Sequence, residues 1–407
     1  MKFLVIAQDL RVSGTSEGVV SRSFIAKLKK VYPDSSIDVF YLKQQPSEDQ
    51  LDLLPVDEIE THLVAVKVPL MTRWFNKIYW RLFHISLNER HIQKQYGLYM
   101  AKIDYQKYDH IFIRSCGVEY EAILGAIDLP ILKKAIINFH DPYPLFWCSG
   151  NDRKLISLEL FRLKTMSKVV HQAKACITPA MTLTKDMGYL YGRSSKFFTL
   201  PHQYEESVFN LSDSSITFKK NKKLTICYQG AIQFGRDIVP LLNAYQQLLD
   251  SNEIYRENTE FVIRVKNQID IDTLNNNYSN SKNIIVLGPT DFSNSSYEQK
   301  HKADINIILE NGVDYCNILV GKAPFLASLN KPILSISPDR SDLRMIIKED
   351  KYICSNKNEV ELILKLESLI KERLSSKEPV FPFGDYFSDE NFKTNLDAVL
   401  FRKELNT

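Results

Sequence analysis

Glycine and proline are scarce in this chain, at 14 and 16 of 407 residues. That excludes collagen-like and linker-dominated architectures. The six cysteines, Cys116, Cys148, Cys176, Cys227, Cys316 and Cys354, contain no Cys-x-x-Cys pair, and no histidines cluster beside them at ligand spacing. Neither a zinc site nor a disulfide framework is expected, and the usage fits a reducing compartment. There is no run of about 18 apolar residues that would span a bilayer. The apolar start at residues 3–7 is closed at once by Gln8, Asp9 and Arg11, too soon for a signal peptide. These absences predict a cytoplasmic chain. Gly-x-Gly-x-x-Gly and the P-loop are also missing, so dinucleotide and ATP binding are poor readings. Nothing points to nucleic acid.

What remains is an ordinary globular composition, 44% hydrophobic and 25% charged, long enough for two domains. The net charge of +3 is unevenly spread. The first 200 residues carry 27 Lys and Arg against 20 Asp and Glu, and the rest carry 25 against 29. Either the first half faces something anionic or the asymmetry is scatter.

Short β-branched runs at 3–7, 37–42, 62–68, 111–114, 135–138, 175–178 and 196–200 alternate with helically spaced segments such as 19–31 and 155–170. Apolar strands separated by amphipathic helices predict a parallel sheet covered on both faces. A polar stretch at 211–223 reads as a linker. The pattern then restarts, with strands at 224–228, 261–265, 284–287, 305–309, 333–336 and 352–354. Helices are predicted at 237–249, 297–303, 318–328 and 359–374. The prediction is α/β, with two Rossmann-like doubly wound domains facing across a cleft. The boundaries are 1–205 for the first domain and 220–385 for the second. A C-terminal segment, 386–407, would pack back on the first domain through a helix near 391–405. Tandem units of this kind bind ligands at the C-terminal ends of their strands.

Four strand ends carry candidate chemistry. Gly14, Thr15 and Ser16 follow the first strand and open a helix, which suits an anion; a plain strand–helix loop is the alternative. His140 and Asp141 end a central strand, where a His beside an Asp can contact sugar hydroxyls or stabilise developing positive charge; a structural His is the alternative. Gly230 and Arg236 bracket a tight loop able to hold a pyrophosphate, with Arg264 and Lys266 adding charge from the next strand end, unless these are only solvated cations. Glu310, Asn317 and Lys322 lie around a further strand end, where acidic and amide groups can accept from ribose hydroxyls.

These residues sit in a pattern that resembles bacterial retaining GT-B glycosyltransferases of family 4, the group-1 enzymes, over most of the chain. Thr178-Pro179-Ala180-Met181 through Tyr191-Gly192, then Phe197 to His202, is similar to the segment closing that family's first domain. His140-Asp141 matches its acceptor-domain His. Gly230 to Arg236 resembles its Gly-Arg-x-x-x-x-Lys phosphate loop, with Ala231 in the Arg position and Arg236 in the Lys position. Val286-Leu287-Gly288 resembles the strand before its nucleotide-binding helix. Lys322 to Ile333 resembles its Lys-x-x-Glu-Tyr-Leu-Ala-x-Gly-Lys-Pro-Ile signature. The two glutamates of the family's Glu-x7-Glu motif fall on Asn317 and Phe325, and Asn317 or Glu310 would have to substitute. The resemblance implies metal-independent sugar transfer from an NDP-sugar to a glycan or polyprenyl-linked acceptor, for surface polysaccharide or glycan synthesis. Arg236, Lys266 and Lys322 would neutralise the diphosphate, with Arg264 as alternate, and no cofactor is implied. A non-catalytic GT-B-like binding or scaffold protein, or an epimerase-like enzyme, is the alternative.

Met71, Trp74, Phe75, Ile78 and Leu82 form one helical apolar stripe beside Arg73, Lys77 and Arg81. Most such stripes pack on a sheet, and that is the expectation here. The alternative is peripheral contact with an anionic membrane on its cytoplasmic face.

Overall fold

The computed structural model describes residues 1–47, 49–312, 314–355 and 357–401. The chain folds as two compact units. One comprises Met1–Cys148, Asp152–Val208 and Ser388–Thr407, the other Ser149–Asn151 and Phe209–Phe387.

The first unit is built on seven parallel strands: β1 (Lys2–Ala7), β2 (Ser36–Lys43), β3 (Glu58–Leu63), β4 (His110–Arg114), β5 (Ala135–Asn138), β6 (Ala175–Thr178) and β7 (Phe197–Thr199). Their order is β3-β2-β1-β4-β5-β6-β7. Helices α1 (Ser16–Val31), α2 (Leu70–Phe83), α3 (Leu87–Met100), α4 (Glu121–Gly125), α5 (Ser157–Gln172) and α6 (Met181–Leu190) connect them. Central strands are buried on both faces, which is why β1, β4 and β5 read as unbroken apolar runs. The strand predicted at 62–68 lies earlier. The edge strand β3 alternates charged and apolar residues and pairs Asp38–Glu58 through Lys43–Leu63. Its backbone ladder, not an apolar run, defines it.

The second unit has six parallel strands: β8 (Leu224–Gln229), β9 (Thr259–Arg264), β10 (Ile284–Leu287), β11 (Ile305–Leu309), β12 (Ile333–Ile336) and β13 (Ile353–Cys354), ordered β10-β9-β8-β11-β12-β13. Its helices are α7 (Val239–Ser251), α8 (Glu253–Asn258), α9 (Gln268–Asn277), α10 (Phe292–Tyr297), α11 (Ala323–Ser328), α12 (Asp342–Ile346) and α13 (Glu359–Ser375). In both sheets the strand order reverses beside the first strand of the unit, between β1 and β4 and between β8 and β11. Doubly wound sheets bind ligands at that switch point.

In the second unit predicted elements also change, and the helix predicted at 297–303 is a helix at Phe292–Tyr297 continued by a π-helical turn at Glu298–Lys302. The helix predicted at 318–328 begins only at Ala323, with Lys322 as its cap residue and a proline in its first turn, Pro324. Proline fits that turn because it lacks the N–H that a helix interior needs. The stretch 211–223, predicted as a linker, is packed onto the second unit. Phe218 is buried, and its N–H donates to Glu298 at 2.7 Å.

The last helix, α14 (Asp389–Leu400), belongs to the first unit and packs on α1. Phe392 meets Phe24 edge-on at 6.0 Å, and Asp389 pairs with Lys27 and Lys30. The part of the predicted helix from 402 to 405 lies outside the described residues. Among the described residues no helix is long and apolar enough to cross a membrane.

Candidate functional site

In the second unit, side chains converge at the C-terminal ends of β8 and β11. The loop after β8 is folded against the loop after β11 through two glycines. Gly235 and Gly312 have φ of +78° and +75°, and a Cβ on Gly235 would meet Gly312 Cα at 3.2 Å. Gly312 N–H donates to Phe234 O at 2.8 Å. Positive φ favours glycine at both positions.

On this frame Arg236 donates from Nε to Asn311 Oδ1 at 2.8 Å and from a terminal nitrogen to Ala231 O at 3.3 Å. Lys322 donates from Nζ to Gln229 O at 2.5 Å and stands 4.6 Å from the Tyr228 ring centroid. A Cβ on Gly230 would come within 3.1 Å of that Nζ, so a side chain there would press on the ammonium. Burial lowers the Lys322 ammonium to about 7, and the positive charge of Arg236 acts in the same direction. Among the described residues neither cation pairs with a carboxylate. Two cations held on neutral acceptors at a strand switch point are a candidate site for an anion.

Glu310, just past β11, is buried, and burial raises its carboxyl to about 7. The hydroxyls of Ser337 and Ser341 pull the other way, yet neither carboxylate oxygen closes a hydrogen bond of normal geometry. Asn317 is buried too. Its Oδ1 accepts from Ser149 N at 3.1 Å, and its own N–H donates to Ser149 Oγ at 3.3 Å. Phe325, in the position of the family's second glutamate, packs edge-on against Phe292 at 6.0 Å.

Arg264 is engaged within the protein. It is buried and forked onto Glu298, with Nε and a terminal nitrogen each 2.7 Å from a carboxylate oxygen. Its remaining donors reach Gly288 O at 2.8 Å and Ile216 O at 3.3 Å. Four of its five N–H donors are thereby committed to the protein, and its charge is matched by the Glu298 carboxylate. Glu298, which the sequence did not single out, also accepts from Gln229 Nε2 at 2.7 Å. Lys266, two residues beyond, is exposed and joins none of these contacts. An Asp-x-Asp triplet, Asp270 to Asp272, also escaped the sequence motifs. It lies in α9, where Asp272 is exposed and accepts from Gln268 at 2.8 Å.

In the first unit, Thr15 caps α1, accepting from Gly18 N and donating to Asp9 Oδ2 at 2.8 Å. Gly14 has φ of +87°, and Ser16 is the first helical residue. Asp9, another residue the sequence did not single out, also takes Arg11 in a fork at 3.0 and 2.7 Å. Burial works to raise its carboxyl, but the bonds from Arg11 and Thr15 outweigh it and hold the carboxyl below its ordinary value. The candidate loop is thus shaped by Asp9.

His140, buried two residues past β5, has its N–H on Ser115 Oγ at 3.2 Å and its Nε2 3.6 Å from Glu17 Oε1. Glu17, His140 and Asp141 place three ligand-type atoms within 4.8 Å of one another. That geometry suits a proton relay or a cation. The His202 ring lies 4.4 Å from that of His140. Burial, with His140 and Arg114, holds His202 well below its ordinary value and therefore neutral.

No protein-family model matches this chain, and no curated protein sequence matches it. Solved structures do. OtsA in its apo form is similar with a TM-score of 0.59 at 11% identity, over 99% of this chain and 100% of that one. A glycosyltransferase from Rickettsia africae gives 0.58 at 11% identity, over 98% and 96%. A UDP-GlcNAc 2-epimerase from Neisseria meningitidis, solved with UDP-GlcNAc bound, gives 0.51 at 13%, over 97% and 99%. The chain has the two-domain GT-B fold that these glycosyltransferases and epimerases share.

Proposed function

We propose that the protein transfers a sugar from a nucleoside-diphosphate sugar to a glycan or polyprenyl-linked saccharide acceptor. The observation that carries this is the Arg236–Lys322 pair around Gly230, two cations without a carboxylate partner among the described residues at the β8–β11 switch point. In this reading they bind the diphosphate and stabilise the charge that grows on it as the glycosidic C–O bond breaks. Glu310 and Asn317 serve the ribose. The acceptor oxygen bonds to the anomeric carbon, and its proton passes to the departing phosphate oxygen. Delivery from the leaving group's own face retains the stereochemistry. His140, Asp141 and the Gly14–Thr15–Ser16 loop of the first unit serve the acceptor. No metal step is needed when two side-chain cations carry the charge. Exposure of the apolar stripe on α2 supports work at the cytoplasmic face of an anionic membrane, in surface polysaccharide or glycan synthesis.

Arg236→Ala tests this. Turnover of the donor should fall by about two orders of magnitude or more, a few kcal/mol of transition-state stabilisation, with the unfolding transition unchanged. Near-normal turnover would remove Arg236 from the site.

A second reading is epimerisation, favoured by the grouping of Glu17, His140 and Asp141, which could move a proton on the sugar itself. Incubation with UDP-sugars in D2O without acceptor separates the two, because only epimerisation carries solvent deuterium into the sugar ring.

A further inference from the structure

The stripe on α2 does not pack on the sheet. None of the helix's residues is buried; Leu70, Met71, Trp74 and Leu82 are 81%, 72%, 58% and 67% exposed. Arg73, Lys77 and Arg81 stand exposed along the same helix, which contains no acidic residue. The helix is nevertheless fixed in place. Asn76 Oδ1 accepts from Leu87 N at 2.7 Å and from Asn88 N at 3.3 Å, tying α2 to the start of α3.

Next to it, α3, α4 and α5 enclose a groove of about 940 Å³, which Phe83 and His84 reach from the end of α2. Its inner surface is made where α3 and α4 touch backbone to backbone: a Cβ on Gly97 would lie 2.7 Å from Gly125 O. Leu98, Leu124, Leu129 and Leu160 line it, and Leu98 and Leu160 are each about half exposed at its mouth. Arg90, Lys94, Lys164 and Lys168 also line it, all four exposed and none paired with a carboxylate among the described residues. Among the described residues of the lining, Asp128 alone is acidic. The volume is that of a small-molecule site, roughly 300–1,000 Å³. Apolar walls, four cations and a cationic aromatic helix alongside have one common complement, an anionic amphiphile.

We propose that this groove holds an acyl chain of an anionic bilayer phospholipid, its phosphate on Arg90, Lys94, Lys164 and Lys168, while α2 lies beside it among the headgroups. The inference deepens the membrane reading of α2, on which it rests, and is independent of sugar transfer. Two measurements on the full chain test it. The first is flotation with phosphatidylglycerol vesicles and with phosphatidylcholine vesicles at low salt. The second is titration with monomeric dihexanoyl-phosphatidylglycerol, with dihexanoyl-phosphatidylcholine and inorganic phosphate as controls. Wild type should float with the anionic vesicles only and bind the anionic monomer. Replacing Trp74, Ile78 and Leu82 by serine should abolish flotation and leave monomer binding. K94E/K164E/K168E should weaken monomer binding by about tenfold or more, as loss of charge-assisted contacts implies. Flotation with no monomer binding, or monomer binding unchanged in the lysine variant, would overturn the groove while sparing α2. Inorganic phosphate binding as tightly as the lipid would make the site one for free phosphate, and equal binding of the neutral lipid would remove the role of charge; either overturns the proposal. Failure of wild type to float with anionic vesicles overturns the membrane reading and the groove with it. Loss of donor turnover bears on neither.

Discussion

Replacing Lys322 by methionine should make the protein more stable and leave it unable to hold its donor. The ammonium is buried and titrates at about 7 in the folded chain, against an ordinary 10.5. Its folded value is depressed, so the unfolded chain binds the extra proton between those two values. Stability therefore rises with pH through this window, and below about 7 the folded chain carries the full cost of a buried charge. Methionine keeps the stem and removes the charge. It also orphans Gln229 O and loses the contact over the Tyr228 ring, a fixed cost of about 1 kcal/mol that does not vary with pH. The pH-dependent part is the cleaner readout. From the two titration points, wild type should gain on the order of 3 kcal/mol on the variant between about pH 6 and pH 9. The assay is urea unfolding of both proteins across that range, followed by a probe in the second unit. Parallel stability profiles would refute the reasoning, since Lys322 would then titrate in the fold as it does in water. Binding adds a second consequence. A diphosphate favours the charged ammonium, so wild-type donor affinity should fall as pH rises above about 7, where binding must take up a proton.

Arg264→Met should destabilise the second unit by about 3–5 kcal/mol, because it strands the buried Glu298 carboxylate; an Arg264→Met/Glu298→Leu double variant should recover much of that in thermal unfolding. Arg22 is fully buried and donates to the carbonyls of Leu10, Asp49, Gln50 and Val208, so Arg22→Met should cost about 4 kcal/mol, roughly one for each orphaned carbonyl, as read by denaturant unfolding of the first unit. Glu310 runs opposite to Lys322. Its folded value is raised to about 7, so its contribution falls as pH rises from 4.5 to 7, and Glu310→Gln should flatten the stability profile there by on the order of 3 kcal/mol.

Strands buried on both faces were the most legible elements. β5, β6, β11 and β12 begin and end where predicted, because burial on both faces leaves little polar alternation to blur the ends. The edge strand β3 was misplaced because backbone pairing with β2 defines it. The candidate anion site was half legible. Gly230, Arg236 and Lys322 stand at strand ends that local pattern reveals, and the structure brings them together. Arg264 looked equivalent, yet its partner Glu298 lies 34 residues away, a pairing that no local spacing announces. The stripe on α2 was visible, but 3.6-residue periodicity is the same for a core helix and an interfacial one, and only the surrounding packing distinguishes them. Likewise Phe325 was seen as a missing glutamate, while its packing partner Phe292 became evident only in three dimensions.

In the proposed reading the second unit binds a nucleoside diphosphate through Arg236 and Lys322. Calorimetry with UDP-, GDP- and TDP-sugars, run on wild type and Arg236→Ala, tests it most directly. Wild type should bind one nucleotide class saturably, and the variant should bind it about a hundredfold more weakly, the effect of removing a charge-assisted phosphate contact. Folded wild type that binds none of the panel would contradict it and point to a scaffold, as would a variant that binds its donor as tightly as wild type.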